Sequence, residues 1–332
     1  RAVTRYARDS NMTEFEIIRR FFGTPPVQRT DVVLGIGDDA AVLQPPAGHE
    51  LILTTDTLVE GRHFRPGEDP ESLGHKSLAV NLSDLAAMGA EPAWFLLSLT
   101  LPQADEQWLT AFAGGLHALA RRFNIQLVGG NTTRGPLSIS VTACGFVPAG
   151  QALTRRGAQP GDRVYVTGTL GDAALALWIE QEQPGRTPVN HAAAERLHRP
   201  EPRIAAGIAL RGLAGAVIDI SDGLAADLGH ILESSRVGAR IDLARLPLSD
   251  AYRRLQTSGV VGWDLALAGG DDYELCFTVP PSREPELTRR AAQMDCACTL
   301  IGEIVTSPGL VLTDPEGRRY QPGRTGYDHF AD

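Results

Sequence analysis

Apolar and polar positions repeat along this chain with both helical and strand periods, and they predict both kinds of element in each half. A helix is predicted to begin near Glu14, because Phe15, Ile18 and Phe22 fall on one face. The other predicted helices cover Glu71–Met88, closed by Gly89, then Asp105 to about Asn124, Asp172–Gln181, segments on either side of Pro200 and Pro202, and one from about Leu224. The predicted strands cover Val32–Leu34, Leu51–Thr54, Ala93–Leu101, Gln126–Val128, Leu137–Val147, Arg163–Thr167, Ala216–Ile220, Tyr273–Val279, Thr299–Ile304 and Leu310–Leu312.

The stretch from Pro148 to Gly161 is rich in glycine and proline, which indicates a domain boundary. We therefore expect an N-terminal domain over residues 13–150 and a C-terminal domain over residues 151–332. Residues 1–12 are set aside as a leader or expression remnant. Because each half mixes strands and helices, the predicted fold class is α+β, with two mixed α/β domains.

Composition narrows the function classes. The chain has 332 residues, 43% hydrophobic and 21% charged, which is typical of a globular protein with two cores. A net charge of -9 argues against nucleic acid as a partner, and no apolar run is long enough for a membrane helix. The four cysteines form no CxxC pair, which favours a reducing compartment and hence the cytoplasm. Cys296-Ala297-Cys298 lacks further metal-ligand partners at suitable spacing and is assigned to the core.

Aspartates recur at short turns beside glycine, serine or threonine, in both halves of the chain. The turns are Gly37-Asp38-Asp39, Thr54-Thr55-Asp56, Asn81-Leu82-Ser83-Asp84, Asp219-Ile220-Ser221-Asp222-Gly223 and Gly269-Gly270-Asp271-Asp272. The chain contains a single lysine, Lys76. If the acids converge, two charges about 4 Å apart repel by roughly 4 kcal/mol at an effective dielectric near 20. Hard oxygen ligands of this kind suit Mg²⁺, although each turn alone is also compatible with an ordinary surface turn.

Known phosphate-binding motifs do not account for these turns. Gly35-Ile36-Gly37-Asp38-Asp39-Ala40 fits the dinucleotide fingerprint, but two carboxylates occupy the approach and Pro45-Pro46 stops any helix. The P-loop and the protein-kinase motif set are both missing from the sequence. Metal ions and arginines such as Arg134 and Arg155 remain as means of neutralising a phosphate.

Smaller motifs suggest where a ligand could bind. Thr54-Thr55-Asp56 follows an apolar strand, and we expect its carboxylate and two hydroxyls to point into one space. Asn81 and Asp84 are three residues apart on a predicted helix and therefore share a face. The stretch Gly129-Gly130-Asn131-Thr132-Thr133 is read either as a close approach to a ligand or as a plain turn. His63 is a lone histidine with both a structural and a functional interpretation.

Together these residues resemble the thiamine-monophosphate kinase family. The most specific stretches are Thr55-Asp56-Thr57-Leu58-Val59, Ala79 through Ala90, and Gly269-Gly270-Asp271-Asp272-Tyr273-Glu274-Leu275. The resemblance continues to the closing Gly326-Tyr327-Asp328-His329-Phe330. The wider superfamily, which includes the aminoimidazole ribonucleotide and selenophosphate synthetases, shares an ATP-binding fold.

The resemblance implies Mg²⁺-dependent transfer of the γ-phosphoryl group of ATP to thiamine monophosphate, in a homodimer. It implies metal ligands at Asp39, Thr54, Thr55, Asp56, Asp84, Asp219 and Asp222, ATP contacts at Gly130, Asn131, Arg155 and Ser221, and substrate contacts at His63, Asp271 and Tyr327. Asn131 stands where many relatives carry an aspartate, so one ligand charge is lost there. Asp271 stands where glutamate is common.

Several acids but no evident activated nucleophile favour direct in-line transfer without a phosphoenzyme. Two other functions remain open at the level of sequence. The chain could be a non-catalytic nucleotide- or divalent-ion-binding protein with the same fold. It could also be another ATP-dependent synthetase of the superfamily with a different acceptor.

Overall fold

The structure is a computed structural model that describes residues 12–182, 191–324 and 326. It contains helices and sheets in both halves, which confirms the predicted α+β class. The segment before Met12 lies outside the described residues. Within the described residues, no helix is long and apolar enough to cross a membrane.

The N-terminal half contains a small two-stranded sheet and a four-stranded sheet. Strands β1 (Val32–Leu34) and β2 (Val42–Leu43) form the first. The second contains β3 (His49–Val59), β4 (Glu91–Leu101), β5 (Gln126–Arg134) and β6 (Ser138–Pro148), in the spatial order β3-β6-β4-β5. The helices are α1 (Glu14–Ile17), which continues as a π-helical turn over Ile18–Phe22, α2 (Pro70–Ala87) and α3 (Glu106–Arg122).

The C-terminal half is built on a seven-stranded mixed sheet in the order β13-β12-β9-β11-β7-β10-β8. Its strands are β7 (Arg163–Thr167), β8 (Val217–Ile220), β9 (Gly238–Asp242), β10 (Glu274–Val279), β11 (Cys298–Val305), β12 (Gly309–Thr313) and β13 (Arg319–Tyr320). Its helices are α4 (Asp172–Glu182), α5 (His191–His198), α6 (Ile204–Leu210), α7 (Leu224–Ser235), α8 (Asp250–Thr257), α9 (Asp264–Ala268) and α10 (Glu284–Arg290). All six residues of β10 are buried.

The chain forms two compact units. The first contains residues 12–46, Thr55–Leu78 and Ala93–Ala143. The second contains Ala47–Thr54, Ala79–Pro92 and the described residues from Cys144 onward. The predicted domains 13–150 and 151–332 remain a prediction.

Helix α2 positions the Asn81–Asp84 motif. Its C-terminal end is a Schellman motif, in which the Ala90 amide donates to the Leu85 carbonyl and the Gly89 amide to that of Ala86. Gly89 adopts a φ of 67°, as expected for the closing residue. Asn81 is fully buried and Asp84 is half-buried, so the apolar sequence around them does form a buried helix.

The dinucleotide fingerprint was correctly set aside. Residues 35–46 contain strand β2 and no helix, so no helix N-terminus is present there to receive a pyrophosphate.

Two strand predictions were too short, and three strands, β2, β9 and β13, were missed. The predicted strand Leu51–Thr54 is part of the eleven-residue β3. The predicted Gln126–Val128 extends to Arg134 in β5. Strand β9 was not predicted, although it lies between β12 and β11.

Candidate active site

The clearest candidate site in the second unit is the turn after β8. The four residues of β8 are buried, including Asp219. The chain then turns through Ser221 and Asp222 to Gly223, and α7 begins at Leu224. Gly223 has a φ of 114°, and a Cβ there would lie 2.7 Å from the Ala268 Cα, so only glycine fits this turn.

Asp227, in the first turn of α7, stabilises this turn through its side chain. Its Oδ2 accepts hydrogen bonds from the backbone amides of Asp222 and Gly223, both at 3.0 Å. Burial, together with the neighbouring Asp222 charge, raises the pKa of Asp227 to about 7, although the amide donors act in the opposite direction. Sequence reasoning missed Asp227. The available signal was an acid in the first turn of a helix that follows a glycine turn.

Asp271 is brought to the same turn by its backbone. The Asp271 amide donates to the Ser221 carbonyl at 2.8 Å, and the Tyr273 amide donates to the Ile220 carbonyl at 2.8 Å. Asp271 has a φ of 59°, and its Oδ1 accepts from the Tyr273 hydroxyl at 2.9 Å. The structure therefore gathers an expected ATP contact, Ser221, and an expected substrate contact, Asp271, beside Asp222.

Helix α2 and strand β3 add two hydroxyl–carboxylate pairs within the second unit. Ser83 donates to Asp219 Oδ2 at 2.8 Å. Thr54 donates to Asp84 Oδ2 at 2.5 Å. Since Ser83 and Asp84 are adjacent, these bonds link Thr54, Asp84 and Asp219 in one short chain of contacts. Ser83 was in the motif but not among the predicted site residues.

The expectation that Thr54, Thr55 and Asp56 point into one space is wrong. They lie inside β3, where successive side chains face opposite sides of the sheet. Thr54 and Asp56 are half-buried on one face, and Thr55 is exposed on the other. Thr55 there donates to the Val141 carbonyl at 3.1 Å.

In the first unit, Asp39 and His63 occupy turns. Asp39 is exposed, and its amide donates to Asp38 Oδ1 at 2.8 Å. His63 is half-buried, and its Nδ1 accepts from the Val59 amide at 3.0 Å, which gives this histidine a structural contact.

Gly130 and Asn131 lie within strand β5, so the Gly129–Thr133 stretch is neither a free ligand loop nor a turn between strands. A Cβ on Gly130 would lie 1.8 Å from the Leu97 carbonyl oxygen of β4. Close strand pairing, with a register shift nearby, therefore accounts for this glycine. Asn131 is exposed.

The remaining expected contacts are Arg155 and Tyr327. Arg155 is exposed, and its carbonyl accepts from the Ser235 hydroxyl at 3.4 Å. Tyr327 lies outside the described residues. Gly326, just before it, is packed so closely that a Cβ would lie 2.5 Å from the Ala226 Cβ.

The donor chemistry of the site fits a hard cation, because the expected ligands carry only carboxylate and hydroxyl oxygens. The single lysine, Lys76, is buried within α2. In the described part of the chain, however, no three His, Cys, Asp or Glu side chains come close enough together to hold a metal ion. The structure thus shows paired oxygen donors rather than an assembled metal centre.

Comparison with known proteins decides the family. The model of the family described as "AIR synthase related protein, N-terminal domain" matches residues 37–147, and that of its C-terminal domain matches residues 159–315. The chain is 51% identical over 328 residues to the thiamine-monophosphate kinase of Escherichia coli strain K12, covering 96% of this chain and 98% of that protein. The chain belongs to the thiamine-monophosphate kinase family.

Solved structures of family members share this fold. The thiamine-monophosphate kinase of Stenotrophomonas maltophilia K279a matches with a TM-score of 0.82 and 46% identity, covering 94% of this chain and 98% of that one. The structure described as "AaThiL complexed with AMPPCP and TMP" matches with a TM-score of 0.75 and 33% identity, covering 95% of this chain and 96% of that one.

Proposed function

We propose that this chain catalyses the ATP-dependent phosphorylation of thiamine monophosphate to thiamine diphosphate. The observation that carries the proposal is the near full-length match to a family member whose structure contains both AMPPCP and TMP. The gathering of Ser221, Asp222 and Asp271 at one turn supports it, because the resemblance assigns these residues to nucleotide, metal and substrate. ATP is accordingly the co-substrate.

Mg²⁺ is part of the proposal. It would be held by oxygen donors among Asp39, Thr54, Asp56, Asp84, Asp219 and Asp222, whereas the Thr55 hydroxyl faces the other side of β3 and is left out of this set. When bound, the ion neutralises the negative charge that develops on the transferred phosphoryl group. The role of the chain's own residues is to orient these oxygens, as Ser83 does for Asp219 and Thr54 does for Asp84.

The substrate's thiazolium ring is a cation, and the Asp271 carboxylate is suited to attract it. The left-handed backbone at Asp271 and its bond from Tyr273 fix where that carboxylate lies. We include His63 and Tyr327 as further substrate contacts, and Gly130, Asn131 and Arg155 as further ATP contacts. An aromatic ring at Tyr327 would provide a cation–π contact.

We further propose direct in-line transfer without a phosphoenzyme. Among the predicted site residues, the hydroxyl with the shortest bond to a carboxylate is that of Thr54, which donates to Asp84 at 2.5 Å. We interpret this pair as two metal ligands. Incubation with labelled ATP and Mg²⁺, without thiamine monophosphate, should leave no label on the protein. A label on Thr54 would show that the transfer proceeds through a covalent intermediate.

A homodimer in the cytoplasm completes the proposal. Leu51 and Leu53 of β3 are 49% and 63% exposed, which leaves apolar side chains on one face of the strand uncovered in a single chain. The four cysteines are free thiols, which agrees with a reducing compartment.

An ADP-release assay tests the function. With Mg²⁺ and ATP, we expect ADP release to depend on thiamine monophosphate and to be absent with thiamine, which has no phosphate to accept the transfer. Binding of ATP without turnover on any acceptor would favour a non-catalytic binding protein. Turnover with a different acceptor would favour another synthetase of the superfamily.

A further inference from the structure

The sulfur atoms of Met294, Cys296 and Cys298 lie close together at the start of β11, and sequence reasoning assigned the two cysteines to the core. The Cys298 thiol contacts Met294 Sδ at 3.4 Å. Cys296 and Cys298 are within hydrogen-bonding reach of each other, and this bond lowers the pKa of Cys296. Asp295, with a φ of 52°, turns the backbone between Met294 and Cys296. Both cysteines are half-buried rather than buried, so the core assignment was wrong.

An arginine lies beside these sulfurs. Arg203 donates to the fully buried Glu274 at 2.5 and 2.6 Å, and its positive charge favours the thiolate of Cys296. Glu274 and Asp295 oppose this effect. A guanidinium is therefore available to balance negative charge on sulfur.

We propose that Met294, Cys296 and Cys298 form a binding site for a soft monovalent metal ion, Cu(I). Thiolate and thioether sulfurs are the ligands that Cu(I) prefers. A structural zinc site needs four ligands, and the described residues supply no group of three or more His, Cys, Asp or Glu side chains for one. Three sulfurs, one of them a thioether, match Cu(I) better.

Binding would involve no electron transfer. Two thiols each release a proton to solvent as two copper–thiolate bonds form, and the thioether adds a lone pair. The resulting unit carries one negative charge, which Arg203 offsets. Met294 is only 1% exposed, so its sulfur is already held by packing before a metal arrives.

Competition for Cu(I) tests the site. The reduced full-length protein is titrated without oxygen with Cu(I) in the presence of the chelator bathocuproine disulfonate. We expect one tightly bound Cu(I) per chain. Cys296→Ser and Cys298→Ser should each lower the affinity by about 100-fold or more, since even losing an outer-shell partner costs 10–100-fold. Cys144→Ser, which changes a half-buried thiol outside the cluster, should bind as the unchanged protein does.

X-ray absorption spectroscopy gives the number of sulfur atoms bound to copper, which tests the role of Met294 separately. We expect three sulfur neighbours around copper, and two in Met294→Leu, a substitution that nearly conserves volume and so keeps the fold. Cu(I) affinity unchanged in Cys296→Ser or in Cys298→Ser would overturn the site. A sulfur count unchanged by Met294→Leu would overturn the role of Met294. If circular dichroism shows that a serine variant is unfolded, the number of sulfur neighbours of copper in Met294→Leu tests the site instead: two neighbours support it, and three contradict it.

Discussion

Hydroxyl donors orient two of the candidate ligands at the level of single residues. Thr54 donates to Asp84, and Ser83 donates to Asp219 across a separation of 136 residues. The acids themselves could be recognised from the sequence, because each stands beside glycine, serine or threonine. The donors could not be assigned to them, since no local pattern relates positions so far apart. The structure adds these pairs to the predicted site.

Replacing Asp84 by asparagine tests the importance of its charge. Asp84→Asn keeps the shape and an acceptor for Thr54 but removes one negative charge from the expected Mg²⁺ ligands. We expect kcat/KM to fall by about 100-fold or more, on the scale of losing one electrostatic group in an active site. Asp105→Asn, at the exposed N-cap of α3, serves as the control and should retain activity, because asparagine is an equally good cap. Near-normal turnover of Asp84→Asn would remove Asp84 from the ligand set.

Replacing Asp227 by asparagine tests its positioning role. Both amides of the Asp222 turn donate to one carboxylate oxygen, Oδ2, so asparagine can keep these two bonds. It removes the negative charge that faces the amides, however, and replaces the other oxygen by an N–H donor. We expect the Mg²⁺ concentration for half-maximal activity to rise about 10-fold, as for other residues that support a metal ligand. Asp250→Asn, in the first turn of α8, is the matched control. A fall in kcat with unchanged Mg²⁺ dependence would contradict this role.

At the level of elements, α2 and α3 approach each other through two glycines. A Cβ on Gly115 would lie 1.9 Å from the Glu71 carbonyl oxygen, and one on Gly74 would lie 2.0 Å from that of Phe112. We expect Gly115→Ala to lower the free energy of unfolding by about 1–3 kcal/mol, because the backbones must separate. The neighbouring Gly114 faces open space, so Gly114→Ala should stabilise by up to about 1 kcal/mol through helix propensity. Urea denaturation measures both changes. Equal changes in unfolding free energy for Gly115→Ala and Gly114→Ala would contradict this close packing.

His117 joins the N-terminal helical segment to α3 and makes that contact pH-dependent. Its Nε2 donates to the Phe21 carbonyl at 2.8 Å, and within the described residues its buried Nδ1 has no hydrogen-bond partner. Burial lowers the pKa of His117 below its ordinary value of 6.5. The unfolded chain therefore binds this proton more readily, so the stability contribution is complete above pH 6.5 and is lost as the pH falls below it.

His117→Gln keeps a donor for Phe21 but cannot titrate, which isolates this effect. Between pH 7 and pH 5, the unchanged protein should lose unfolding free energy faster than the variant, with a difference in slope of at most about 1.4 kcal/mol per pH unit for one proton. Denaturant titrations at a series of pH values measure this slope. If the unfolding free energies of the two proteins change with pH in parallel, His117 is not the source of the pH dependence.

Elements with strong local patterns were predicted well, and those defined by distant partners were not. Strand Arg163–Thr167 was predicted with its observed bounds. The helix predicted to begin at Asp105 does begin there, and the Asp105 side chain caps it by accepting from the amides of Gln107 and Trp108. Strand β9 was not predicted because its residues, Gly238-Ala239-Arg240-Ile241-Asp242, form neither an apolar run nor a clear alternation of apolar and polar positions. It forms a parallel pair with β12 and an antiparallel pair with β11. A Cβ on Gly238 would lie 1.9 Å from the Ser307 carbonyl oxygen, a requirement that only the paired structure shows.

At the level of the whole molecule, the exposed leucines of β3 predict association. Leu53→Glu should convert a dimer into a monomer, because a charge cannot be buried against apolar surface without a partner. Light scattering after gel filtration should give twice the mass of one chain for the unchanged protein and the mass of one chain for the variant. Leu177→Glu, at an exposed apolar position of α4, is the control and should remain dimeric. A monomeric unchanged protein would contradict the proposal.

The Asp227 contact also has a consequence for inhibition by small anions. In many folds, free amides at a helix N-terminus attract phosphate from solution. Here the amides of Asp222 and Gly223 are already occupied by a carboxylate from within the same helix. These two amides are therefore not available to inorganic phosphate or sulfate. An anion at this turn would have to compete with the Asp227 carboxylate for them, which favours a complete substrate that makes other contacts over its phosphate fragment.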